Sequence, residues 1–568
     1  MELLPKLVIL LLAALGIASV SIRRFLNRRQ FARRCGCQPV ARSFSKDPFL
    51  GLDTIPGTIR AIRQHRVLGR SCEIFRAYGN TFTVKELHQS AIVTIEPENI
   101  QAVLSLNFKD YTLRHRLELF MPLLGRGIFN TDGQHWASSR ALIRPSFARE
   151  QVANLSLLER LMQDLFVLLP RDSTTVDLQE LFFRYTIDSA TDLLFGQSVG
   201  ALKKSQSGLA FADALQYALK AIPVRDMLGP LNAVYRDRKT DECNRICRDF
   251  VQQYVEEAVY AAGPKKEEKE SRTTETKRRY ILSHELASRT SDKQRMVDEL
   301  INVLLAGRDT TGSLLGNLFF MLAKNPVIWA KLRAEVAVLQ NRPPTYEELR
   351  GLRYVQCCVN ESLRLHPVVP TNKRKAMRDT VLPRGGGNDG LSPVFVPAGT
   401  LVGYNIYAMH RRTDFYGPDA KEFRPERWED GKLQPRWGYL PFNGGPRICL
   451  GQRYALTEAS YVLVRMAQEF RGLESRDPGS WEEGLVLTHA YIKKHMEGQP
   501  NIEVCVKSGL DSSAPSSPFI DRACLIILTL LHWWNNAALQ SLHGGTVPWA
   551  HQIGHALTAH QRLLPRGR

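Results

Sequence analysis

The chain holds 568 residues, 44% hydrophobic and 23% charged, which is enough apolar content for a large buried core and excludes a fibrous or disordered protein. Its net charge of +19 and pI near 9.5 favour anionic surfaces, either membrane lipid or an acidic protein partner. No zinc-finger spacing or RNA-binding signature accompanies that charge, so no nucleic acid partner is expected.

Residues Leu3 to Ile22 form an apolar run broken among charges only by Lys6, long enough to span a bilayer. Arg23, Arg24, Arg28, Arg29, Arg33 and Arg34 follow directly and would hold everything downstream on the cytosolic side. A cleaved signal peptide carries its cations ahead of the apolar run, so residues 1–22 are expected to be an uncleaved anchor, in the endoplasmic reticulum. The basic run would also touch anionic headgroups. Residues 23–48, with Pro39 and Pro48, are expected to be a basic linker that hinges the anchor to the body over residues 49–507. The ten cysteines are scattered, and pairs such as Cys243 and Cys247 or Cys357 and Cys358 form no disulfide or metal framework.

Within the body, alternation at Thr81–Lys85 and the β-rich run Ile92–Ile95 predict a short sheet. The mixed apolar and basic stretch from Asn107 to Asn130 includes Lys109, Arg114 and Arg116. Asp132 is expected to cap a helix that carries Trp136 and Arg140 one turn apart, so that an indole N–H and a guanidinium point the same way. Two such donors suit a ligand with acid groups. Leucine and phenylalanine at three- and four-residue spacings predict a run of amphipathic helices from about Ala148 to Val259. The alternating charges of Gly263 to Arg279 read as a solvated loop.

A long apolar helix is predicted from near Lys293 to Ala323, and it contains Ala306-Gly307-Arg308-Asp309-Thr310-Thr311. An acid beside a hydroxyl in such a helix costs stability unless something uses it. Thr310 can bond back to the Ala306 carbonyl, and Gly307 eases a local opening of the ladder. Glu361 and Arg364 stand three residues apart on a further helix. Pro383 to Gly387 reads as a glycine-rich loop, and Val394 to Thr400 as strand and turn. Strands are also expected around Val486 and at Ile502–Val506.

The stretch Phe442-Asn443-Gly444-Gly445-Pro446-Arg447-Ile448-Cys449-Leu450-Gly451 carries the strongest chemistry. A lone cysteine between glycines suits a thiolate offered to one metal, with backbone N–H groups around the sulfur. Gly444, Gly445 and Gly451 permit the tight turns and close approach. Arg447 is a bidentate cation suited to a carboxylate, and Phe442 supplies an aromatic wall. A helix over Arg453–Phe470 turns its N-terminal dipole toward the sulfur. The alternative is a buried free cysteine beside a glycine turn.

The spacing F-x-x-G-x-R-x-C-x-G resembles the haem-binding loop of the cytochrome P450 monooxygenases. Three further signatures occur in the family's order: W-x-x-x-R at Trp136 and Arg140, the Gly307 to Thr310 string, and E-x-x-R at Glu361 followed by Arg427. The resemblance implies a mainly α fold with a small β region, and haem b bound with Cys449 as axial ligand. It implies that Trp136, Arg140 and Arg374 contact the haem propionates, while Arg447, Phe442 and Gly451 shape the cofactor loop. It implies that Thr310 assists dioxygen activation and Asp309 links it to a proton source. Glu361, Arg364 and Arg427 would form a structural triad, and Val368 to Asn372 would reach over the substrate. Longer strings around Phe120–Gln151 and Met409–Trp428 look like fungal alkane and fatty-acid hydroxylases.

The implied activity is hydroxylation of an aliphatic C–H bond in a lipophilic substrate, an alkane, a fatty acid or a lipid-like metabolite. The chain has no flavin or nicotinamide fingerprint, so an NADPH-dependent cytochrome reductase, with cytochrome b5 as a further donor, is the expected partner. If the substrate is an acid, Lys109, Arg114 or Arg116 would hold its carboxylate. The competing readings are a haem-thiolate enzyme that rearranges peroxides without a reductase, and a non-catalytic haem-binding membrane protein. Residues 508–568 lie outside the resemblance and are expected to be poorly ordered. His551 and His555 there lack the third ligand that zinc needs.

Overall fold

The computed structural model describes residues 3–40, 42–47, 51–86, 89–171, 174–229, 232, 235–262, 280–475, 482–486, 489–493 and 503–506. The stretch Gly263–Arg279, the segment after residue 507 and the pair His551 and His555 lie outside the described residues.

The first helix runs from Leu3 to Arg34, so the apolar run and the arginine cluster form one continuous rod. It is the one described helix long and apolar enough to cross a membrane. Its basic end meets the body: Arg28 pairs with Asp379 at 3.0 Å and Phe31 packs on Phe395. The residues expected to hinge are strapped down. Gln38 N–H donates to the Pro393 carbonyl, and Val40 forms an isolated β-bridge with Gly386.

The amphipathic segments fold as helices at Ser156–Leu168, Leu178–Phe195, Gln206–Leu228 and Arg238–Ala262. Leu178–Phe195 and Arg238–Ala262 pack on the central helix Lys293–Ala323, which is buried along most of its length, and the other two pack against them. Its longest seam is with Leu178–Phe195, and glycines allow the approach: a Cβ on Gly312 would sit 2.7 Å from the Phe183 ring. Arg353–Leu365 and Gln452–Glu469 complete the helical layer around the site. One core cluster joins Leu165, Phe182, Phe319, Leu363 and Val462.

The main sheet has five strands. Thr81–Glu86 pairs antiparallel with Gln89–Thr94, which runs parallel to Leu401–Asn405. Thr371–Ala376 lies antiparallel to Leu401–Asn405, and Tyr111–Thr112 closes the far edge. The stretch Pro383 to Gly387, expected as a loop, is instead the end of strand Thr380–Gly386, paired with Ser392–Val396. The glycines make a bulge there, with Gly385 at φ +112°, so the strand continues past an irregularity that the sequence presents as a break. Strands also form at Glu482–Val486, His489–Lys493 and Glu503–Val506.

Candidate functional site

The cysteine loop is held by its own backbone. Cys449 N–H donates to the Phe442 carbonyl at 3.1 Å and Ile448 N–H to Gly445 at 3.0 Å. Gly445 has φ +68°, and a Cβ on it would lie 1.9 Å from the Leu104 carbonyl oxygen, so no other residue fits. Gly444 is confined by the Trp437 ring at 2.6 Å from its would-be Cβ. Gly451 differs from the sequence expectation. Its φ of −83° and a 3.4 Å approach to Phe147 demand no glycine. Its amide, with that of Gln452, instead donates to the Cys449 sulfur at the start of helix Gln452–Glu469. Burial pushes the Cys449 thiol up, and these amides with Arg140 oppose the shift.

Cys449 nevertheless has exposed surface, because its sulfur side opens into an interior cavity. Trp136, Arg140, Arg374, Phe442, Arg447 and Gly451 line the same cavity, as does Thr310. Asp309 does not. It is buried in a 2.6 Å ion pair with Arg308, whose guanidinium stacks over Phe183.

Arg308 was not singled out by the sequence, although an arginine inside an apolar helix beside an aspartate is a readable sign of a buried pair. Thr310 Oγ1 donates to the Ala306 carbonyl at 2.6 Å, as its position predicts. Glu458 was also missed. It lines the cavity nine residues after Cys449, bonds to Thr311 and Ser189, and leaves Oε1 without a partner. Burial raises its pKa to about 7.

Arg116 joins Arg140, Arg374 and Arg447 at the cavity wall. The Asn372 Oδ1 accepts from both Arg116 at 2.5 Å and Arg374 at 2.6 Å. Arg447 stacks over Trp136 at 4.4 Å, and Arg140 donates to the Ile448 carbonyl at 3.0 Å. Burial lowers Arg116 and Arg447 each to about 10, with Arg374 adding repulsion to both. Among the described residues, Asp132 is the one carboxylate that pairs with any of the four, at 2.7 Å from Arg447.

Asp132 occupies the N-cap position of helix Gly133–Ile143 but makes no capping bond. Its other oxygen accepts from Thr112 Oγ1 and from Leu113 N–H, so the expected cap is diverted to a tertiary ion pair. Four guanidiniums and an indole against one carboxylate leave cationic capacity for a ligand with two acid groups. A cavity with a lone thiol at one wall and this cluster at another fits haem.

Lys109 and Arg114 are exposed and do not line the cavity; the third cation proposed for substrate, Arg116, does. Most of the remaining lining is apolar, including Leu113, Phe120, Leu124, Val303, Val368 and Val369. The Glu361, Arg364 and Arg427 triad is formed and fully buried, with Arg364 Nε 2.8 Å and Arg427 Nε 2.9 Å from the carboxylate. It lies outside the cavity lining.

Comparison with known proteins places this geometry in context. The family model described as Cytochrome P450 matches residues 55–492. The chain is similar to cytochrome P450 monooxygenase himC of Aspergillus japonicus, 48% identical over 486 residues covering 84% of this chain and 86% of that protein. It is 46% identical to cytochrome P450 monooxygenase FPY7 of Fusarium mangiferae over 85% of this chain and 94% of the relative. Cytochrome P450 52A3-A of Candida maltosa is 44% identical over 68% of this chain and 76% of its own length.

Proposed function

The chain belongs to the cytochrome P450 family of haem-thiolate monooxygenases, and from that premise we propose an enzyme that hydroxylates aliphatic C–H bonds, to whose haem Cys449 would supply the thiolate ligand. The observation that carries the assignment is the Cys449 thiol, the one described cysteine that opens into a cavity whose wall holds four arginines and Trp136. Arg140, Arg374, Arg447 and Trp136 would hold the cofactor's propionates, and Arg116, sharing Asn372 with Arg374, belongs with them. Phe442 walls the thiolate side, and the Gly451 amide holds the sulfur. Bound haem supplies dioxygen activation, with the thiolate donating electron density.

The protein's part is proton placement and water exclusion. Thr310 spends its hydroxyl proton on the Ala306 carbonyl, so the oxygen lone pairs remain available to the cavity as an acceptor. Asp309 stays fixed by Arg308 behind the cavity wall, next in the chain to Thr310, and from there would link it to a proton source. The Leu113, Phe120 and Val368 lining favours a long apolar substrate, consistent with the resemblance to alkane and fatty-acid hydroxylases.

Lys109 and Arg114 are too exposed to hold an acid head within the cavity. Electrons would come from an NADPH-dependent cytochrome reductase, with cytochrome b5 as a second donor; the net charge of +19 suits an acidic docking face. The Leu3–Arg34 helix would anchor the chain in the endoplasmic reticulum with its body in the cytosol.

The test is the Cys449→Ala protein, purified beside the parent. It should lose the reduced carbon monoxide band of a thiolate-ligated haem; an unaltered spectrum would overturn the assignment. Substrates are then found by incubating reductase-containing membranes with alkanes, fatty acids and polyketides. Oxygenated products from the apolar members support the lipid reading, and products from none of them refute it.

A further inference from the structure

Arg447 reaches the cavity from the cysteine loop, and the hydrogen bonds of its guanidinium go to the segment Gly125–Asp132. It donates to the Thr131 carbonyl and the Asp132 carboxylate, each at 2.7 Å, and at 3.4 Å to the Ile128 carbonyl. That segment is in turn gripped from behind by one polar face of the central helix. Asp298 accepts from Arg126 N–H at 2.7 Å, Glu299 from Ile128 N–H at 3.3 Å, and Asn302 from Phe129 N–H at 3.3 Å. Asn302 also donates to the Leu124 carbonyl at 2.9 Å.

These three side chains grip one loop from successive positions on the helix, and all three are buried. The loop's sequence is fitted to them. Gly125, at φ +58°, comes so close that a Cβ would lie 2.0 Å from Asp298 Oδ1, and a Cβ on Gly127 would lie 2.2 Å from Asn302 Nδ2. Asn130 closes the loop internally, accepting from Gly127 N–H and donating to the Gly125 carbonyl at 2.6 Å.

We infer that Asp298, Glu299 and Asn302 are positioning residues that act through the Gly125–Asp132 loop on Arg447, and so set how firmly the cofactor's acid groups are held. They touch neither the thiol nor any other part of the cofactor loop. Their leverage comes from geometry: they fix the two carbonyls and the carboxylate that aim a guanidinium at the cavity. Burial raises Glu299 to about 7, against the pull of Ser139 and Arg295, which agrees with a carboxyl kept in place by packing rather than by solvation. The inference rests on the haem-site reading above, so its test must separate the two.

The experiment uses the full-length, haem-loaded protein and follows haem transfer to excess apomyoglobin by absorbance, together with the midpoint potential. Gly127→Ala and Asn302→Leu disturb one contact from opposite sides. Both should release haem about tenfold faster than the parent, the usual scale for losing support behind a ligand-holding group. Asp132→Asn, which weakens the Arg447 contact without touching the central helix, should do the same.

The deciding comparison is made in an Arg447→Gln background, where Asn302→Leu should add no further acceleration, since a residue that works through Arg447 cannot act once it is gone. Ser313→Ala, a buried change on the same helix away from the loop, should leave release unchanged and reports any general loosening. Equal factors with and without Arg447, or release no faster than in Ser313→Ala, would overturn the inference. A parent protein that carries no haem, or a Cys449→Ala protein with its spectrum intact, would instead overturn the reading on which it rests.

Discussion

Replacing Glu361 by Gln tests whether the buried triad holds the cysteine-bearing architecture. The carboxylate accepts five hydrogen bonds: Oε1 from Arg364 Nη2, Arg427 Nε and the Arg424 amide, and Oε2 from Arg364 Nε and Trp428 Nε1, all between 2.8 and 2.9 Å. A glutamine can reproduce the Oε1 set. Its amide nitrogen would then face two donors, and its neutrality would leave two guanidiniums buried, with side chains 0% and 3% exposed.

Breaking a buried ion pair from one side costs about 3–5 kcal/mol, and retained bonds from Arg364 to the Ala420 carbonyl and from Arg427 to Asp419 favour the lower end. A chain of this size melts with an entropy of about 1.2 kcal/mol/K, so the midpoint should fall by about 2.5–4 °C. Calorimetry of the haem-loaded protein measures it, with Lys432→Ala as the comparison. That lysine pairs with Asp430 at 3.1 Å but is 86% exposed, and its loss should be undetectable. If the two variants melt together, burial has not given the triad its strength and the reasoning fails.

Gly445→Ala should give protein that binds little or no haem, because its Cβ would meet the Leu104 carbonyl oxygen at 1.9 Å; normal haem content would refute the loop geometry. Thr310→Val should keep fold and cofactor yet lower the product formed per NADPH consumed, and unchanged coupling would remove Thr310 from proton handling. Glu458 binds its proton up to about pH 7 when folded and about 4.5 when unfolded, so between those values the folded state holds the extra proton. Its contribution therefore becomes unfavourable as pH rises, by about 3 kcal/mol at pH 8. Urea unfolding of the parent and of Glu458→Gln at pH 5 and pH 8 should show the parent losing more stability on that rise; parallel losses would refute the buried-acid reading.

Much of the site was legible because its signals are local. Glycines beside Cys449, the helical spacing of Trp136 and Arg140, and the Thr310 bond to Ala306 each depend on a few neighbouring residues, and backbone geometry reads them out wherever the helix or turn goes. The apolar run with its arginines is local in the same sense, and it became one helix, Leu3–Arg34. Pro383 to Gly387 misled because glycine marks both a loop and a bulged strand; pairing with Ser392–Val396 decided between them.

What the chain could not announce was the choice of partner for groups with several options. Asp132 had the sequence of a helix cap and became the counter-ion of Arg447, 315 residues away, because a guanidinium delivered by a distant loop outbids a backbone amide for a carboxylate. Asp309, expected to link Thr310 to a proton source, stands behind the cavity wall in a buried ion pair with Arg308. Arg116 was indistinguishable from Lys109 and Arg114 until the strand bearing Asn372 and Arg374 came alongside it. The sequence determined which chemistry was present, since residue types and short spacings carry that. The tertiary structure decided which of those groups meet, since burial penalises a charge without a partner and only packing says which partner is within reach.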